Sequence, residues 1–153
     1  MAVAPGIEES RLFLSDEIHQ DLGLGFHWLA VEQPDVVCLQ ETKLTDGAFA
    51  DLLGVELERR GYAVAYHGEA RWNGVAILSR VGLDEVLPGL PGAPGFPGPE
   101  ARAVSATCCG VRVHSVYVPN GRMPESDHYH YKLAWLDALR EAVAAGPSDA
   151  LVC

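Results

Sequence analysis

Pro34-Asp35-Val36-Val37-Cys38-Leu39-Gln40-Glu41-Thr42-Lys43 is the stretch that decides how the chain folds. Val36, Val37, Cys38 and Leu39 form an unbroken apolar run with β-branched members, too short for a helix and suited to a strand buried on both faces. Pro34 restricts the residue before it and marks where a preceding helix stops. The run ends in an amide, a carboxylate, a hydroxyl and an ammonium. A carboxylate just past the C-terminal end of a buried strand stands where α/β sheets place their ligands. Glu41 is therefore a candidate for holding a hard divalent cation such as Mg²⁺, which takes oxygen donors and keeps part of its water. The same spacing also lets Glu41 pair with Lys43 or cap the next helix, and the residues alone leave these readings open.

Outward from this stretch, bulk composition narrows the classes. The 153 residues are 48% hydrophobic, enough for one domain that buries most of its unfolded surface. A formal net charge of -10 disfavours a general polyanion binder. The imbalance is uneven: residues 1–60 carry 12 acidic and 4 basic side chains, the remainder 9 and 7. Nucleic-acid contact would need a local basic patch in the second part. Cys38, Cys108, Cys109 and Cys153 have neither metal spacing nor a secreted disulfide pattern, so a reducing cytoplasm is expected. No apolar stretch is long enough for a membrane span, and the first residues are acidic where a signal peptide is basic.

Before Pro34, Leu12, Leu14, Ile18 and Leu22 give a weak helical period that Gly23 and Gly25 are expected to interrupt. Trp28 to Val31 reads as the last turn of a helix. After Lys43, Thr45 to Arg60 reads as a helix capped by Thr45, with Phe49, Leu52, Leu53, Val55 and Leu57 as its apolar positions and Gly61 just past its end. Tyr62–His67 and Gly74–Ser79 form a hairpin. Gly82–Pro99, rich in Gly and Pro, reads as a surface loop. Arg102–Cys109 and Val111–Val118 make a second hairpin, whose alternation does not say which face is buried. Ser126–Ala145 is the clearest helix, with Tyr129, Leu133, Leu136, Leu139 or Arg140, and Val143 in helical register. Gly146-Pro147 stops it, and Asp149–Cys153 opens a further buried strand.

Several blocks also carry a family resemblance. Pro34 to Lys43, then Tyr66-His67-Gly68, Asn73-Gly74-Val75-Ala76-Ile77-Leu78-Ser79-Arg80 and Val116-Tyr117-Val118-Pro119-Asn120-Gly121 resemble, in order, the signatures of exonuclease III-type enzymes of the endonuclease/exonuclease/phosphatase superfamily. The resemblance covers residues 28–153. Residues 1–27 lack the opening Asn-bearing strand motif and are expected to be a divergent or mis-started segment. The resemblance implies an α/β (α+β) fold, part of a four-layer αββα sandwich of DNase I type truncated at its C-terminus. It implies a Mg²⁺-dependent DNA-repair nuclease, with Mn²⁺ able to replace Mg²⁺. Such an enzyme acts on double-stranded DNA at abasic sites and 3′ ends, in the cytoplasm, with no membrane and no protein partner indicated. The further carboxylates and Asp-His pair of the family would follow Cys153, so this chain alone is expected to be inactive.

By resemblance, Glu41 holds the metal, Tyr117 faces the scissile phosphate and Asn120 contacts it. From the residues alone, Tyr117 reads as a half-buried packing residue and Asn120-Gly121 as an ordinary turn. Arg71, Trp72 and Asn73 tip the first hairpin, as Arg122 and Met123 tip the later loop; in the family such loops grip the duplex. Otherwise they are solvated loop tips. Lys132 either reaches a phosphate or coats its helix, while Gln40 and Lys43 support Glu41. His128 and His130 diverge on a helix and do not chelate together, nor do Cys108 and Cys109 on a strand. Another phosphodiesterase or phosphatase of the superfamily, or a non-catalytic DNA-binding remnant of the scaffold, is the alternative.

Overall fold

The computed structural model describes residues 22–153. The weak helix read before Leu22, and most of the divergent N-terminal segment, lie outside the described residues.

Two sheets stack face to face, and helices cover the outer face of each. The first layer holds α1 (Leu22–Glu32) and a helical stretch made of α2 (Asp46–Phe49), a widened π turn (Ala50–Gly54) and α3 (Val55–Arg59). Beneath it lies an antiparallel sheet in the order β1 (Val36–Gln40), β3 (Val75–Ser79), β2 (Ala63–His67). The second sheet runs β4 (Asp84–Pro88), β5 (Ala103–Cys108), β6 (Val111–Val116), β7 (Ala150–Val152), with β6 and β7 parallel. Helix α4 (Asp127–Ala145) covers its far side. This is the αββα layering that the resemblance implied.

The apolar run of β1 is unbroken because both its faces are buried. Val37 and Leu39 pack with Leu29, Phe49, Leu53 and Leu57 of the helical layer. Cys38 faces the other sheet, among Ile77, Val104 and Cys108. The same division settles the second hairpin: Val104, Ala106 and Val113 fill the space between the sheets, while Ala103 and Val116 meet Tyr131 and Trp135 of α4. A hydrogen bond from Ser115 Oγ to the Leu39 carbonyl, 3.2 Å, joins the two sheets through the core.

Several sequence expectations are corrected by tertiary packing. Helix α1 runs through Gly23 and Gly25, where a break was expected, because burial of an apolar face outweighs local propensity. Thr45 caps α2 as expected, accepting from Ala48 N, but only Phe49, Leu53 and Leu57 of the expected apolar positions are buried. Leu52 and Val55 lie in solvent. The Gly82–Pro99 loop contains an edge strand, β4, whose residues are all exposed; its pairing to β5 uses backbone groups and leaves no hydrophobic pattern. In α4 the buried stripe is Tyr131, Trp135 and Ala138, with Tyr129 and Leu133 exposed. The expected buried strand at the end is β7, but Leu151 and Val152 are exposed. No helix among the described residues is long and apolar enough to cross a membrane.

Candidate active site

The end of β1 is held by the loop that leads into β3. Thr42 N donates to the Gly74 carbonyl at 3.1 Å and Lys43 N to the Asn73 carbonyl at 2.9 Å, extending the β1–β3 pairing past Gln40. Gly74 has φ +87°, and a Cβ there would strike Thr42 Oγ1. Only glycine fits such a close approach without moving Thr42. Glu41 and Lys43 both take left-handed backbone, φ 53° each, as do Arg71, Asn73 and Arg122 at 71°, 45° and 53°. Non-glycine residues in this region cost roughly 1–3 kcal/mol each and gather where function over-determines the backbone.

This backbone turns Glu41 towards β6, where the chain resumes the site 76 residues later. The Tyr117 hydroxyl donates to Glu41 Oε1. Lys43 Nζ lies 3.1 Å from Glu41 Oε2. The carboxylate thus meets Lys43, as one reading held, and also the phenol the resemblance assigned to the phosphate. Each carboxylate oxygen still has a second lone pair, and the side chain is 24% exposed. That oxygen donor fits a hard cation, which takes one or two protein carboxylates and fills its remaining positions with water or phosphate oxygens. Among the described residues, no three or more His, Cys, Asp or Glu side chains converge as a metal cluster. Gln40 is buried at the end of β1, underneath this corner.

Tyr117 is fixed from behind by a residue that sequence reasoning missed. The Arg102 guanidinium lies over the Tyr117 ring, 5.0 Å from its centroid, and Arg102 Nη1 donates to the Tyr117 carbonyl at 3.3 Å. Glu100 grips the same guanidinium through Nε at 2.9 Å and Nη2 at 3.1 Å. The Tyr131 hydroxyl of α4 donates to Glu100. Burial pushes the Glu100 carboxyl up, but donation from Arg102 and Tyr131 outweighs it, leaving the group below its ordinary value. Burial first, then the Glu100 carboxylate that accepts its proton, raises the Tyr131 phenol. No strand or helix period marked the pair, since Glu100 and Arg102 both stand ahead of β5, which begins at Ala103.

The loop candidates separate. Arg71 and Trp72 stand at the tip of the first loop, Trp72 71% exposed. Asn73 is turned inward: it is buried and donates to Glu69 Oε1 at 2.7 Å, while Glu69 Oε2 accepts from Ala101 N. Asn120 makes the turn its sequence suggested, with Oδ1 accepting from Arg122 N at 2.8 Å, which leaves its amide NH₂ for another partner. Arg122 is exposed, and Lys132 runs alongside the Gly121 backbone with its Cδ close to that glycine. The His128 ring is tilted against Phe96, 4.4 Å between ring centroids, and His130 lies edge-on against Tyr129.

The site is thus a corner carboxylate bound by a strand-end tyrosine, beside two sheets covered by helices. The Endonuclease/Exonuclease/phosphatase family matches residues 19–153, and the chain belongs to it. Among individual proteins, it is 30% identical over 114 residues to an exodeoxyribonuclease of Bacillus subtilis (strain 168), covering 73% of this chain and 42% of that protein. Among solved structures, it resembles an AP endonuclease from Archaeoglobus fulgidus with TM-score 0.80 and 32% identity, over 93% of this chain and 54% of that one. It also resembles a variant of the 3′ phosphatase NExo from Neisseria bound to product DNA hairpin, with TM-score 0.77 and 35% identity, over 86% and 49%. The chain spans about half the length of these relatives or less.

Proposed function

We propose that this chain is the N-terminal portion of a Mg²⁺-dependent DNA-repair nuclease of exodeoxyribonuclease III type. Such an enzyme cuts the backbone 5′ of abasic sites and removes nucleotides from 3′ ends. The observation that carries the reading is the hydrogen bond from Tyr117 to Glu41, which joins two family blocks into one site. Relatives named as an exodeoxyribonuclease, an AP endonuclease and a DNA-bound 3′ phosphatase support it.

In this reading Glu41 holds Mg²⁺, or Mn²⁺ in its place, and the cation when bound neutralises phosphate charge. The Tyr117 phenol keeps Glu41 oriented and faces the scissile phosphate. Asn120, its Oδ1 already committed, offers its NH₂ to a phosphate oxygen. Arg71, Trp72, Arg122 and Lys132 supply cations and an aromatic ring to the duplex, and Lys43 orients Glu41. The four cysteines are free thiols, which accords with a reducing cytoplasm. With one carboxylate at the corner, the 153-residue chain by itself turns over DNA at or near background.

Incubation with abasic duplex DNA and Mg²⁺ tests this, together with calorimetric titration by Mg²⁺. The expected results are no turnover above background and Mg²⁺ binding that disappears in Glu41→Ala. Turnover that Glu41→Ala abolishes would overturn the inactivity. Unchanged Mg²⁺ affinity in that variant would remove Glu41 from the metal site. DNA affinity indifferent to metal would favour the non-catalytic scaffold instead.

A further inference from the structure

Two thiols meet in the gap between the sheets. The parallel pairing of β7 with β6 continues through Cys153, whose N–H donates to the His114 carbonyl at 2.9 Å and whose carbonyl accepts from Val116 N at 2.8 Å. Cys153 therefore stands in register with Ser115, and residues in register on neighbouring strands share a face. That face is the interior. Ser115 is fully buried, and its hydroxyl donates to the Leu39 carbonyl of β1. Cys38, next to Leu39, faces the same gap, and Cys153 packs against the cluster that contains it. The two side chains are hydrogen-bonded to each other. We propose that Cys38 and Cys153 are a peroxide-sensitive pair that closes to a disulfide and joins the two sheets. The proposal goes beyond the nuclease reading and does not depend on it.

The geometry singles out this pair among the four cysteines. Cys108 belongs to the same cluster, but its sulfur accepts from the Ser79 hydroxyl. Cys109 is exposed, at the turn between β5 and β6. A disulfide needs its two Cα atoms within about 7 Å, whereas stacked sheets usually lie about 10 Å apart. Here they are closer, because a side chain as short as Ser115 spans from β6 to the β1 main chain with a 3.2 Å hydrogen bond.

The two sulfurs have different tasks. Donation from Cys38 outweighs burial and holds the Cys153 thiol down, to about 7. The bond to Cys153, then burial, pushes the Cys38 thiol up. Cys153, only half-buried, is thus the thiolate that a small oxidant meets first. Its sulfur attacks one oxygen of hydrogen peroxide and the O–O bond breaks. Cys153 becomes a sulfenic acid, and the hydroxide released takes up the proton that Cys153 had lost. The Cys38 sulfur then attacks the sulfenic sulfur. The S–S bond forms, the S–O bond breaks, and the departing oxygen leaves as water with the Cys38 proton. Two thiols are oxidised by two electrons and one peroxide is reduced to two waters. The bond ties β1, which leads into Glu41, to β7, the neighbour of the strand that leads into Tyr117. In a reducing compartment such a bond is transient and reports a pulse of peroxide.

The test exposes the reduced 153-residue chain to hydrogen peroxide, quenches it in acid, alkylates the remaining thiols and maps the linkage by mass spectrometry without reduction. The expected product is a Cys38–Cys153 crosslink, with loss of both thiols and full return on adding dithiothreitol. In Cys38→Ala the crosslink is lost and Cys153 stops at a sulfenic acid that dimedone labels. In Cys153→Ser the crosslink is lost and Cys38 stays reduced. The same treatment in concentrated urea gives mixed pairings of all four cysteines. No crosslink in the folded parent chain, a crosslink from either residue to Cys108 or Cys109, or the same mixture folded as in urea would overturn the proposal. Because neither metal nor DNA is present, the outcome is independent of the titration that tests Glu41.

Discussion

Replacing Arg102 with Met tests whether the Glu100–Arg102 pair holds Tyr117 in place. The substitution keeps an apolar stem but removes two charge-assisted hydrogen bonds to Glu100 and the cation over the Tyr117 ring. Arg102 and Glu100 side chains are only 13% and 19% exposed. Breaking a fully buried pair by removing one partner costs about 3–5 kcal/mol. The residual exposure of both partners screens the stranded charge and brings the loss down to about 2–3 kcal/mol. That is a large share of a total stability of about 5–15 kcal/mol. With a urea m-value of about 1–3 kcal/mol per M, the midpoint falls by about 1 M or more.

The pH dependence sharpens the test. In the parent chain Glu100 sits below its ordinary value, so its contribution is present above the unfolded carboxyl pKa and is lost as pH falls through the folded one. Without Arg102 the burial of Glu100 prevails and its carboxyl moves up, so the deficit of Arg102→Met narrows as pH drops towards about 4.5. Glu100→Gln added to Arg102→Met removes the stranded charge and restores part of the loss. Urea unfolding of the two variants at about pH 7.5 and pH 5 measures all of this. A loss under about 0.5 kcal/mol, the range of an ordinary surface substitution, or a double variant no more stable than Arg102→Met, would refute the reasoning.

Three other outcomes are expected. Gly74→Ala forces a side chain into left-handed backbone and against Thr42 Oγ1, so it destabilises by more than about 1 kcal/mol and displaces the Glu41 corner, seen as shifted NMR signals of Glu41 and Thr42 amides. Trp135→Ala empties the contact between α4 and the second sheet, where Trp135 is 2% exposed, and lowers stability by about 3–5 kcal/mol in urea unfolding. Burial, then nearby Arg112, pushes the His114 imidazole down, and its Nε2 is buried with no partner among the described residues. The unfolded chain therefore binds the proton first, and stability falls as pH drops from about 6.5 towards the folded value. His114→Leu flattens that slope between about pH 7.5 and 5.5; an unchanged slope would place the proton uptake elsewhere.

How much of the site was legible depended on whether its residues meet locally or only in space. Glu41, Lys43 and the turn at Asn120 could be read from neighbours in sequence, because a strand end and an Asn-Gly pair are local chemistry. Arg102 could not. It sits at the end of a Gly- and Pro-rich loop, where charges normally face water. Its partners are Tyr117 across the β5–β6 pair and Glu100, which α4 reaches through Tyr131. Asn73 was read as part of a loop tip, but the backbone bends it under the loop to Glu69.

By itself the order of residues settled the strand at Val36–Leu39, both hairpins, the helix cap at Thr45, and, through resemblance, the layered architecture. Those features follow from hydrophobic period, turn chemistry and backbone limits acting over a few residues. Only the folded chain chose which stripe of α4 to bury, let α1 pass its glycines, and made part of the Gly- and Pro-rich loop into the edge strand β4. It alone also brought Tyr117 onto Glu41. In each case several local arrangements differ by about a kcal/mol, and burial against a distant element, worth several times that, selects among them.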